Sequence, residues 1–132
     1  MTTTVATNPV SEQPRYSVKV NGRWFPDMIG TEDSAGSSET YAGIIGQPIE
    51  DITIGDGYKY SVRGKRNKWV DGDKYDQSAD LSKGGPVTGI KIEGNVIYAV
   101  HIKGGSWLPS VRGGEVVSAG VPIDAIWIES VE

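Results

Sequence analysis

Cysteine is absent from the 132 residues, and histidine and phenylalanine occur once each. No disulfide framework, thiolate metal site or cysteine nucleophile can therefore be built, although the absence leaves the compartment open, because exported proteins also do without disulfides. No apolar run approaches the length a bilayer needs, and the polar, Thr-rich start carries neither basic residues nor an apolar stretch, so no signal peptide or spanning helix is expected. Basic charge is in short supply too. Against 17 Asp and Glu stand 13 Lys and Arg, a net charge of −4, which repels a nucleic-acid backbone. Neither nucleic acid nor a membrane is expected as a partner.

What is present fits one domain, since a chain of this length buries roughly 70% of its unfolded surface without a covalent staple. Residues 1–14 hold two prolines and few apolar side chains, so they cannot fold alone and are read as an arm, either a free tail or a strap that docks on a neighbour. The folded part is expected over 15–132.

Within it one pattern occurs three times, at a spacing of about 40 residues. The first copy runs Tyr16-x-Val18, Trp24-Phe-Pro26, Ala42-Gly43 and Pro48-Ile49-x-x-Ile52-x-Ile54. The third runs Tyr98-x-Val100, Trp107-Leu-Pro109, Ala119-Gly120 and Pro122-Ile123-x-x-Ile126-x-Ile128. Between them, Tyr60-x-Val62, Trp69 and Pro86-Val87-x-x-Ile90-x-Ile92 keep both ends and lose the middle proline. The copies span about 15–55, 57–93 and 96–130. Alternation such as Tyr16/Val18/Val20 against Ser17/Lys19 reads as half-buried strands, and Asn21-Gly22 and Lys103-Gly104-Gly105 as the tight turns that follow them. Short strands fit around Trp24–Ile29 and Thr40–Ile45, and no segment reads as helix. An all-β fold follows, with about four strands per copy. A β-trefoil of pseudo-threefold symmetry is the expected architecture, ahead of a three-sheet prism or a sandwich.

Catalytic chemistry has few candidates. His101 falls where the first copy has Lys19 and the second Arg63, on the parity opposite the apolar residues. The three read as solvent-facing basic positions, able to form a ring around an anionic polymer, and His101 as a surface cation in preference to a general base. Asp71, Asp73 and Asp76 have the beginning of calcium-loop spacing but lack its closing Glu, so a solvated turn is expected and no metal. Glu50, Asp51 and Asp124 follow the repeated proline, and nothing selects two of them as the acid pair of a glycosidase. Neither a Gly-x-Ser-x-Gly elbow nor a phosphate loop occurs. The expectation is no enzyme and no cofactor.

Aromatic residues say more. Trp24, Trp69 and Trp107 are equivalent by repeat and read either as a plug used three times or as a binding surface. Trp127 alternates out of phase with Ile126 and Ile128, and its counterparts are Thr53 and Lys91, so it is expected on the surface. Exposed indole faces suit sugar rings or a protein partner.

The segments Gly105-Ser-Trp107-Leu-Pro109 and Tyr41-Ala-Gly-Ile-Ile-Gly46-Gln-Pro-Ile49-Glu-Asp-Ile52-Thr-Ile54 resemble the tandem C-terminal repeats of clostridial and phage cell-wall lytic enzymes, over about residues 16–130. The resemblance implies a targeting module that holds a lytic enzyme on wall glycan, and it carries a binding role onto Trp24, Tyr41 and Trp107. The middle copy lacks both motifs, so pockets are expected in the first and third. Two functions are carried forward. One is a non-catalytic binder of bacterial cell-wall carbohydrate, acting at the wall after lysis. The other is a virion structural protein, a capsid decoration or fibre component, that docks on capsid proteins through residues 1–14. Either accommodates a monomer or a homo-oligomer.

Overall fold

A computed structural model describes residues 14–29, 41–55 and 57–131. The arm expected over 1–14 lies outside them apart from Pro14, which is buried. Among the described residues the protein is all-β: twelve strands in three antiparallel four-stranded sheets, with one short 3-10 turn at Lys65–Asn67. None of the described helical turns is long and apolar enough to cross a membrane.

The first unit contributes β1 (Arg15–Val20), β2 (Arg23–Trp24), β3 (Met28–Ile29), β4 (Ala42–Gly43) and β5 (Asp51–Gly55). The second contributes β6 (Tyr60–Arg63), β7 (Trp69–Gly72) and β8 (Gly89–Ile92). The third contributes β9 (Val96–Ile102), β10 (Val111–Arg112), β11 (Val116–Ser118) and β12 (Ile123–Ser130). In each, the Tyr-x-Val strand pairs with the Ile-x-Ile strand in one register. Tyr16 lies opposite Ile54 and Val18 opposite Ile52; Tyr60 opposite Ile92 and Val62 opposite Ile90; Tyr98 opposite Ile128 and Val100 opposite Ile126. Cross-strand pairs of an aromatic or β-branched residue with isoleucine are what stabilises such ladders.

Two strands leave their own unit. β4 of the first pairs with β12 of the third, and β11 of the third pairs with β8 of the second. The second unit sends no strand onto β5, but its segment 75–81 covers that edge: the Asp76 N–H donates to the Thr53 hydroxyl (2.7 Å) and the Leu81 N–H to the Asp51 carboxylate (3.0 Å). These links are passed on in one direction, from first unit to third, third to second and second to first.

Two sets of hydrogen bonds run between equivalent residues. The Ile49 N–H donates to Ile123 O, the Ile123 N–H to Val87 O and the Val87 N–H to Ile49 O, each at 2.9 Å, which closes a ring through the residue after each repeated proline. The tyrosine hydroxyls make the second set: Tyr16 takes a backbone hydrogen bond from Ile128, Tyr98 from Ile92 and Tyr60 from Ile54. A buried phenol needs such a partner. Burial also pushes the Tyr16 hydroxyl up to about 12. Tyrosines, valines and isoleucines of all three units join in one core cluster, so no unit has an apolar interior of its own.

Burial departs from the half-buried expectation. β5 is buried along its whole length and β12 along all but its last residue, because each is covered on both faces. Ser17, expected on the wet face, is fully buried, and its hydroxyl donates to Phe25 O at 2.6 Å. Asn21 and Gly22 do form the expected tight turn, with φ of 53° and 79°. The pairing register places Val117 and Ser118, not Ala119 and Gly120, where the first unit has Ala42 and Gly43.

Candidate functional site

The turn at Asn21-Gly22 fixes a cross-hairpin pair: with two residues in the loop, Val20 lies opposite Arg23 and Lys19 opposite Trp24. The second unit sets Arg63 opposite Trp69, and the third bridges His101 to Trp107. Each repeated basic residue therefore faces a repeated tryptophan. Lys19, Arg63 and His101 lie in three different sheets, each paired with one of the repeated tryptophans. None of these tryptophans belongs to the core cluster: Trp24 and Trp107 are half-buried and Trp69 is exposed.

The third of these pairs is the most elaborate. His101 was expected to face solvent, yet it is buried, and its Nδ1 lies 2.7 Å from Oδ1 of Asp124, which is itself fully buried. The reason lies in the unit exchange. β4 crosses from the first unit onto β12 and brings its loop over this end of the sheet, where the Gly46 N–H donates to the other Asp124 oxygen at 2.7 Å. Gly43 permits the close approach, since a side chain there would begin 2.4 Å from the Asp124 carbonyl oxygen and its φ is +112°.

The same crossing brings Tyr41 to Trp107. Their ring centroids are 5.6 Å apart at 65°, and the His101 ring meets Trp107 from another side at 5.4 Å and 79°. Both are edge-to-face contacts, the arrangement favoured by the ring quadrupoles. Asp124 accepts from Nδ1–H, which fixes the imidazole orientation and leaves Nε2 as the ring's remaining polar atom. The result is a half-exposed aromatic corner on a rigid polar support. A flat apolar face beside fixed polar atoms can stack on the C–H face of a sugar and hydrogen-bond its hydroxyls.

The other predicted residues fall elsewhere. Trp127, expected on the surface, is 6% exposed, because β12 lies between β9 and β4 with both faces covered. It cannot present an indole face to a ligand. Of the carboxylates between proline and isoleucine, Glu50 accepts from the Gly22 N–H (2.9 Å) and so braces the Asn21-Gly22 turn. Asp51 is buried, and burial pushes its carboxyl up to about 6 against the opposing pull of the Ile52 and Leu81 N–H groups. Asp71, expected in a turn, lies in β7 and accepts from the Ser61 hydroxyl of the paired β6 (2.7 Å), whereas Asp76 accepts from Ser78 N–H and Oγ and so serves a local turn. Among the described residues no cluster of His, Asp or Glu could hold a metal ion.

Asp124 and Gly46 are the members of the corner that repeat reading misses. The sign of Asp124 was available: Pro-Ile-Asp at 122–124 places an acid beside the strand facing the lone histidine. Comparison of the chain with protein-family models, with curated proteins and with solved structures gives no match.

Proposed function

We propose that this chain is a non-catalytic module that binds bacterial cell-wall carbohydrate, of phage or Gram-positive origin, through the corner formed by Tyr41, Trp107 and His101. We further propose that its three units close about a pseudo-threefold axis in the manner of a β-trefoil. The hydrogen-bond ring through Ile49, Val87 and Ile123 and the common Tyr/Ile register support that architecture.

One observation carries the functional reading: two half-exposed aromatic side chains from different units meet edge-to-face beside an imidazole held by a buried carboxylate. Core packing does not account for the meeting of Tyr41 and Trp107, since neither belongs to the core cluster. The contacting atoms suit saccharide chemistry, and Trp24 opposite Lys19 provides a second, simpler site of the same kind. Two weak sites on one rigid body give avidity on a polymer without a strong individual contact. The His101–Asp124 pair orients a binding group in this reading and moves no proton.

Sedimentation with washed Gram-positive walls is the test. Saturable depletion of the protein from the supernatant, competed by soluble wall polysaccharide and reduced at least tenfold by Trp107→Ala, is the expected outcome, with no reducing ends released from the walls. No depletion on several walls, or release of reducing ends that His101→Gln abolishes, contradicts it.

A further inference from the structure

The second unit, which has lost Trp-Leu-Pro, carries a cavity of about 360 Å³ that shares no residue with the aromatic corner. Four cations line it, Lys65, Arg66, Lys68 and Lys83, around a floor of Val70 and Leu81. In a chain of net charge −4 this is a concentration of positive charge against the overall balance. Elsewhere Arg15 pairs with Asp27 and Lys91 with Glu93, but none of these four forms an ion pair with a described carboxylate. Unpaired like charges gathered in one concavity repel each other and focus a positive potential on it.

The backbone beneath them is fixed. The Lys65 N–H donates to Ser82 O at 2.9 Å, and Ser82, 1% exposed, donates its hydroxyl to Glu50 O. Gly64 lies so close that a side chain would begin 2.4 Å from the same Ser82 oxygen. The two cation-bearing turns are thus locked to each other. Arg66, Asn67 and Lys83 all have positive φ, at 61°, 58° and 56°, a conformation that costs energy in residues other than glycine.

We propose that this cavity binds a phosphate group carried on a saccharide or polyol. A phosphate offers several acceptor oxygens to the ammonium and guanidinium donors these four side chains carry at the cavity, and the guanidinium of Arg66 can take two of them at once. Val70, Leu81 and the lysine stems supply apolar surface for the C–H face of the attached body. The volume is at the small end of ligand pockets, which suits one sugar or polyol unit and not a larger ligand. No aromatic residue lines the cavity, so a stacked nucleobase has no platform there.

The cavity stands apart from the aromatic corner, and the two sites are tested separately. Glucose 6-phosphate and poly(glycerol phosphate) are titrated into the full chain by calorimetry, with glucose and sodium chloride at matched ionic strength as controls. Both phosphate compounds are expected to bind and both controls to give no saturable heat. The double variant Lys65→Gln/Arg66→Gln, at two exposed positions, is expected to bind at least tenfold more weakly with an unchanged melt, and Trp107→Ala to bind as well as the parent. Tighter binding of glucose 6-phosphate would identify a soluble monoester as the source, and tighter binding of the polymer a phosphodiester chain. Phosphate compounds that bind no better than chloride, or a double variant that binds like the parent, would overturn the assignment. Failure to sediment with walls while phosphate binding persists would remove only the wall-binding reading.

Discussion

The second and third units share a scaffold and differ in what they display. Both pair Tyr with Ile and Val with Ile in one register, both enter the hydrogen-bond ring, and both set a basic residue against a tryptophan. Around Trp107 the neighbouring unit supplies Tyr41, and Asp124 locks the histidine. Around Trp69 the corresponding strand supplies Val116, which is exposed, and the place of Asp124 is taken by Thr88, whose hydroxyl reaches Arg63 O only at 3.5 Å. Trp69 has no ring partner among the described residues and is 42% exposed. The residues that close the fold are held constant, while those that build a site vary.

The largest effects are expected at the shared scaffold. Ile126→Ala and Ile90→Ala remove equivalent fully buried side chains, so each should cost about 2–5 kcal/mol in a denaturant melt and unfold the domain as one unit. Unequal costs would mean that the units do not share one core. Trp127→Ala belongs in the same class, at about 3–5 kcal/mol, because that indole is buried.

Next in size is the support beneath the corner. Asp124→Ala strands the His101 and Gly46 donors and should destabilise by about 3 kcal/mol, whereas Thr88→Ala should cost about 1 kcal/mol or less. A pH series on the parent adds a separate effect from the first unit. The folded-state value for Asp51, about 6, lies above its ordinary 3.8, so its protonated form is favoured in the native state. Its contribution is therefore fully present below pH 3.8 and is lost as pH rises through 6, by about 3 kcal/mol. Asp51→Asn should flatten that slope between pH 4 and 7 in urea melts. The smallest change in stability should come from the exposed tryptophan: Trp69→Ala should alter stability by less than about 1 kcal/mol and leave wall binding intact.

The scaffold was legible because its constraints are local and repeated. Tyr-x-Val and Ile-x-Ile state both the strand period and the core face, and Asn-Gly states the turn. Two-sided burial was not legible, since alternation along a strand reports one covered face and says nothing of segments from another unit that cover the second. That is why Trp127 was expected outside, and why His101, which alternates like Lys19, was expected in solvent. The corner itself was half visible. Tyr41 and Trp107 were singled out from separate copies, but their meeting depends on β4 crossing to β12, a long-range exchange that no spacing within a copy encodes. The cationic cavity was not visible at all, because Lys83 is brought to Lys65 by the packing of two turns.

The central claim is that the Tyr41–Trp107–His101 corner is where glycan binds, and the four indole N–H groups allow it to be read directly. Solubilised wall polysaccharide should be titrated into 15N-labelled protein while the four indole resonances are followed. The Trp107 resonance should shift first and saturably, Trp24 more weakly, with Trp69 and Trp127 unmoved. Saturable binding that leaves Trp107 in place, or that moves Trp69 alone, would contradict it.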